Sequence, residues 1–125
     1  MSSNFQRVRP ASGPVVQGLS PAGFIVDGTA YRAVLLTPER AIAWEPPTLG
    51  ELGAEHLGAI LDLAPPPEFL IVGTGATMAF APRALVRDLE ARGIGVEAMD
   101  SRAAARTWSI LRAEERWIVA AIMGV

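Results

Sequence analysis

The chain has 125 residues, half of them hydrophobic, with 19 % charged and a formal net charge of −2. That is one domain with enough apolar material for its own core, neither a disordered chain nor a protein held to nucleic acid by charge. There is no cysteine, one histidine (His56), and all 11 basic residues are arginines, which excludes thiol nucleophiles, Cys-bound zinc, two-histidine metal sites, P-loop lysines and Schiff-base chemistry.

Residues 1–14 carry Ser, Asn, Pro and Gly with scattered apolar groups and read as a flexible N-terminal arm; residues 15–125 form the domain. From Val15 to Trp44, short apolar runs alternate with turn signals. Val15 to Leu19 is the first strand, and Ser20-Pro21-Ala22-Gly23 its turn. Phe24-Ile25-Val26 follows, then Asp27-Gly28. That dipeptide suits a type I′ hairpin, which needs positive φ at both central positions. Thr29 to Leu36 is the next strand, Thr37 to Arg40 a turn, and Ala41 to Trp44 a further strand, so the block predicts an antiparallel β-meander. Pro46-Pro47 ends it, since proline cannot donate to a ladder.

Gly53 to Leu63 predicts a helix with Leu57, Ile60 and Leu61 on one face. Ala64-Pro65-Pro66-Pro67 is a stiff linker. The remainder alternates strand and helix. Phe69 to Val72 has the continuous apolar character of a strand covered on both faces. Pro82 to Arg92 is a helix with Leu85, Val86 and Leu89 buried and Gly93 as its stop. Ile94 to Met99 is a strand. Asp100 is an N-cap for a helix over Ser101–Arg112, whose apolar face is Ala103, Ala104, Thr107, Trp108 and Leu111, and Trp117 to Ile122 is the last strand. The fold class is therefore α/β: a β-α-β-α-β half in a central mixed sheet, with an additional N-terminal antiparallel β-layer.

The longest clean apolar run, Trp117 to Met123, is far short of the roughly 20 residues of a membrane-spanning helix. The N-terminus lacks the apolar stretch of a secretory signal. The expected place is the cytoplasm, with peripheral membrane association left open.

If the strands flanking the Pro82 helix are parallel neighbours, their carboxyl ends lie side by side, where open α/β sheets bind ligands. One ends in Gly73-Thr74-Gly75, whose amides can form an anion nest. The other ends in Asp100, followed by Arg102 and Arg106 one turn apart. Gly73, Thr74, Gly75, Asp100, Arg102 and Arg106 are thus the candidate ligand-binding residues, for a small anionic ligand. The simpler reading of the same residues is a crowded turn relieved by glycine, a helix cap and a solvated arginine face. A dinucleotide fingerprint fails, because Met78 stands where its third glycine belongs. No catalytic residue is assigned. Glu97, three positions back on its strand, points away from Asp100, and Thr74, Ser101 and Ser109 lack a nucleophile context. His56 is a lone histidine on a short helix, and of Trp44, Trp108 and Trp117 at least two are expected in the core.

Several stretches taken in order carry a resemblance. They are Gly23-Phe24, Asp27-Gly28 with Tyr31, Leu35-Leu36 before Thr37-Pro38, and Ala43-Trp44; then Leu70 to Gly75 followed by Phe80-Ala81-Pro82; then Gly93 to Glu97, Met99-Asp100 and Ala103 to Trp108. From about Val15 to Ile122 the chain resembles the Mth938-like family, which includes the mitochondrial respiratory complex I assembly factor 3 and many small bacterial proteins. The resemblance implies a compact α/β domain with an extra β-layer, no activity to carry over, and a role through protein partners. The family's Gly-x-Gly and Met-Asp motifs fall on Gly73, Gly75, Met99 and Asp100, whereas its frequent Asn is Ser109 here. The leading expectation is a non-enzymatic protein-interaction domain with an assembly-factor-like role for a membrane complex, and with no cofactor, no metal and no nucleic-acid partner. The alternative is a binder of, or enzyme on, a small anionic ligand. A homo-oligomer through the meander is a third arrangement.

Overall fold

In the computed structural model, which describes residues 13–125, eight strands form two sheets. The first sheet joins β1 (Val16–Ser20), β2 (Gly23–Val26) and β3 (Thr29–Tyr31), all antiparallel in the order β1-β2-β3. The second has five strands: β4 (Val34–Leu36), β5 (Ala41–Ala43), β6 (Phe69–Gly73), β7 (Gly95–Met99) and β8 (Val119–Ile122), in the order β5-β4-β8-β6-β7. There β6 runs parallel to both β7 and β8, while β4 is antiparallel to β5 and β8.

The Asp27-Gly28 turn has the expected form, with φ of +49° and +84°. The run Thr29 to Leu36, however, is two strands rather than one, so the meander divides between two sheets. Ala30 is exposed, but from Ala33 to Pro38 the chain is buried. The chain crosses at Arg32-Ala33, and β4 enters the central sheet as its neighbours' core strand.

The expected helix over residues 53–63 also departs from a single element. It resolves into two 3-10 turns, Leu49–Glu51 and Ala54–His56, and a four-residue helix α1 (Gly58–Leu61). The Gly53 amide donates to His56 Nδ1 at 3.0 Å, closing the second turn, and Leu57 leaves helical geometry at φ −120°, ψ 12°. Leu57, Ile60 and Leu61 are nevertheless buried; packing, rather than helix continuity, places them.

Helix α2 (Arg83–Glu90) buries Leu85 and Leu89 and ends before Gly93, whose φ is +79°. Helix α3 (Ser101–Ala113) begins on Asp100, whose Oδ1 accepts from the Ala103 amide at 2.9 Å. α1 and α2 cover one face of the five-stranded sheet, with Leu35, Leu70, Val72 and Val119 beneath them. α3 and the three-stranded sheet cover the other, where Phe24, Val26, Val34, Ile71, Ile118 and Ile122 surround the fully buried Trp108. Trp44 is only partly buried, against the first of these cores. Trp117 is half-buried, and its indole Nε1 donates to Pro65 O at 2.6 Å.

Residues 1–12 of the expected arm lie outside the described residues. Its last two, Gly13 and Pro14, touch the domain. A Cβ on Gly13 would run into the Pro38 carbonyl, and Pro14 is buried with its carbonyl accepting from Trp108 Nε1 at 3.4 Å. Among the described residues no helix is long and apolar enough to cross a membrane.

Candidate functional site

Parallel pairing of β6 and β7, with Gly73 opposite Met99, brings the two predicted turns together. The Thr74 amide donates to Met99 O at 2.8 Å. Gly75 and Ser101 bond reciprocally: the Gly75 amide donates to Ser101 Oγ at 2.8 Å, and the Ser101 amide donates to Gly75 O at 2.9 Å. The Met123 amide, just past β8, donates to Gly73 O at 3.0 Å. The C-terminal ends of β6, β7 and β8 are thereby tied into one corner.

That corner is closely packed. A Cβ on Gly73 would lie 2.8 Å from Ser101 Oγ and 3.0 Å from Ile122 Cγ2, closer than real side chains approach. Glycine therefore lets the start of α3 sit on the end of β6. The Thr74 hydroxyl donates within the protein, with Thr77 O at 2.7 Å and Met99 O at 3.1 Å as its acceptors, and it accepts from the Ala79 amide at 3.2 Å. Asp100 caps α3. Thr74, Gly75 and Asp100 thus direct the groups named here inward, and each hydrogen bond fixes backbone rather than presenting a donor to solvent.

The Thr74 bonds shape the loop over residues 74–82, which carries Met78 and Phe80 outward, 54 % and 85 % exposed. No sequence signal distinguished these two from core residues.

Arg102 and Arg106 are not in that corner. Both are exposed and lie on the α3 stripe Arg102, Ala105, Arg106, Ser109 and Ile110, whose spacing places them on one helical face. The stripe forms one wall of a groove of about 540 Å³; the other wall is β1, from Val16 to Leu19, and Phe24 lines it as well. The six predicted residues therefore divide. Four build a closed corner and two border an open groove. The remaining groove residues were missed, because the approach of β1 to α3 is a tertiary event; Leu19 and Ile110 stay 37 % and 61 % exposed there.

At the far end of α3 the Glu68 carboxylate accepts from Arg116 Nε at 3.0 Å and Nη2 at 2.8 Å, and from the Trp117 amide at 3.3 Å. The Arg116 hydrogen bond, foremost, holds the Glu68 carboxyl below its ordinary value, and Glu68 in turn raises Arg116. The guanidinium also lies 5.7 Å from the Phe69 ring centroid. This is an exposed clasp between the start of β6 and the end of α3.

Comparison with known proteins gives a family match over residues 16–123, to the family described as "Protein of unknown function (DUF498/DUF598)". Among curated proteins, the chain is 28 % identical over 123 residues to the NADH dehydrogenase [ubiquinone] 1 alpha subcomplex assembly factor 3 of Danio rerio, covering 98 % of this chain and 71 % of that protein. Among solved structures, a Bordetella parapertussis protein matches with a TM-score of 0.81 and 34 % identity, over 91 % of this chain and 98 % of its own. A Bordetella pertussis protein described as a Mth938-like domain matches with a TM-score of 0.74 and 31 % identity, over 89 % of this chain and 85 % of its own. With the two-sheet architecture and these matches together, the chain belongs to the DUF498/DUF598 family and carries its Mth938-like α/β fold.

Proposed function

We propose that this chain is a non-catalytic protein-interaction domain that assists assembly of a membrane respiratory complex of the NADH dehydrogenase type. It works from the cytoplasmic compartment, at the membrane periphery. The observation that carries this reading is the similarity to an assembly factor of that complex along 98 % of the chain. The geometry supports it. The polar groups at the strand ends are committed to holding β6, β7 and α3 together, while apolar side chains are displayed outside, at Phe80, Met78 and Ile110. Exposed aromatic and methionine side chains are the currency of protein contacts rather than of small-molecule turnover.

Affinity capture tests it. The tagged full chain is used as bait on detergent-solubilised native membranes and on cytosol, with quantitative mass spectrometry of the bound proteins. The expected result is reproducible enrichment of subunits of one respiratory complex over the tag alone. Enrichment of no such subunit in either fraction contradicts the proposal.

A further inference from the structure

We infer that the groove between β1 and α3 is the docking site for an extended, acidic peptide segment of a partner protein, which adds as a strand to the free edge of β1. The inference rests on the protein-interaction reading above and names its surface and its partner's chemistry.

Three observations carry it. First, among the described residues β1 is the terminal strand of its sheet and pairs only with β2. A terminal strand presents half of its backbone N–H and C=O groups away from its neighbour, a ready template for another strand. β1 is the strand of this sheet that lies against α3, and the groove opens between them, so a strand added at the β1 edge lies beside the helix. Strand addition beside a helix is a recurrent way to hold peptides, with main-chain bonds giving affinity and alternate side chains giving specificity. Second, the groove is largely apolar: Val16, Leu19, Phe24, Ala105 and Ile110 line it, and Leu19 and Ile110 are partly exposed to solvent. Third, Arg102 and Arg106 stand one turn apart on the helix wall. Among the described residues neither guanidinium has an ion pair, whereas Arg116 is paired with Glu68. Two cations without a protein carboxylate, beside an apolar trough, select an occupant that brings its own acidic groups.

The same charge argument sets the other occupants aside. The segment before Val15 holds Arg7 and Arg9 and no Asp or Glu, so it offers this wall no carboxylate. A second copy would bring an identical arginine pair to a two-fold contact. β7 also ends its sheet, but the groove beside it is lined by Glu68, Glu97 and Arg116, and Glu68 and Arg116 already bind each other.

The test uses the full chain. A displayed library of random twelve-residue peptides is selected on it. The enriched peptides are then measured against wild type, Arg102→Glu/Arg106→Glu and the milder Arg102→Gln/Arg106→Gln, and mapped by amide chemical-shift changes on isotope-labelled protein. Both arginines are exposed, so the variants should keep the wild-type spectrum elsewhere. The expected peptides alternate apolar residues and carry net negative charge. They shift the amides of Gln17 to Leu19 and of residues 102–110, and they bind the Glu variant about tenfold or more weaker, with the Gln variant between. The inference is overturned by an empty selection, by peptides without acidic bias, by equal binding to the Glu variant, or by shifts centred on Met78 and Phe80. Concentration-dependent shifts at β1 without peptide would instead name a second copy and overturn it too. The two readings separate cleanly. If affinity capture recovers complex subunits and the Glu variant recovers them equally, the protein-interaction reading stands and this groove does not serve it. If capture recovers none, the broader reading fails whatever the peptides do.

Discussion

Ser101 shows how much of this fold is decided by single atoms. It is fully buried, its Oγ takes the Gly75 amide, and its amide goes to Gly75 O. Ser101→Ala leaves a buried N–H without its acceptor, which costs about 1–3 kcal/mol; urea denaturation should show the midpoint fall at unchanged slope. A midpoint equal to wild type would mean that the corner is not held by this bond. Gly73→Ala should also destabilise, by about 1–3 kcal/mol of overpacking, because its Cβ would lie 2.8 Å from that same Oγ. Glu68 makes a different kind of contribution. Its folded pKa is lowered, chiefly by the Arg116 hydrogen bond, so its stabilisation is present above the ordinary carboxylate pKa and lost as pH falls through the lowered folded value. Both side chains are roughly four-tenths exposed, at 41 % and 46 %, so the effect is small and screened by salt. Glu68→Gln should be slightly less stable than wild type at about pH 7 in low salt, and the difference should fade as pH falls through the lowered folded value. A difference that persists in acid would assign it to packing instead.

Elements repeat the lesson that local signals place turns and caps better than they place strands in sheets. Asp27-Gly28 and Asp100 were legible because their roles are fixed by backbone conformation and by one nearby hydrogen bond: φ of +49° and +84° in the turn, and an Ala103 amide at 2.9 Å from the cap. The Thr29–Leu36 run was not legible as two strands. Thr29-Ala30-Tyr31 and Val34-Leu35-Leu36 each suit a strand, and the central sheet's demand for a strand buried on both faces is what separates them. The broken helix at residues 53–61 is similar: Leu57, Ile60 and Leu61 satisfy the core from 3-10 and α turns alike. α3 is the element on which the second core depends. Asp100→Ala should cost about 1 kcal/mol through the lost cap. Trp108→Ala, which empties a site with no solvent exposure, should cost about 3–5 kcal/mol. Thermal melts of the two variants compare them directly; a larger loss for the cap than for the indole would contradict the packing described.

At the scale of the whole molecule, the order of elements predicted the α/β class and the parallel β6–β7 pair, and with them the meeting of Gly73-Thr74-Gly75 and Asp100. The direction in which each side chain works was beyond the sequence. Periodicity could put Arg102 and Arg106 on a polar helix face, yet only the packing of the N-terminal sheet against α3 turns that face into the wall of a groove. Likewise Phe80 looks like core material until the Thr74 bonds set the loop that displays it. The outcome is an α/β body whose strand ends are closed and whose exposed apolar side chains lie on a loop and beside α3. That division suits the interaction role proposed above. The most direct measurement is a native gel of membranes from cells of the source organism lacking this chain, stained for NADH dehydrogenase activity. The expected result is less of the fully assembled complex and an accumulation of smaller, subunit-containing intermediates, both reversed by the wild-type chain. An unchanged amount of assembled complex, with no such intermediates, would contradict it.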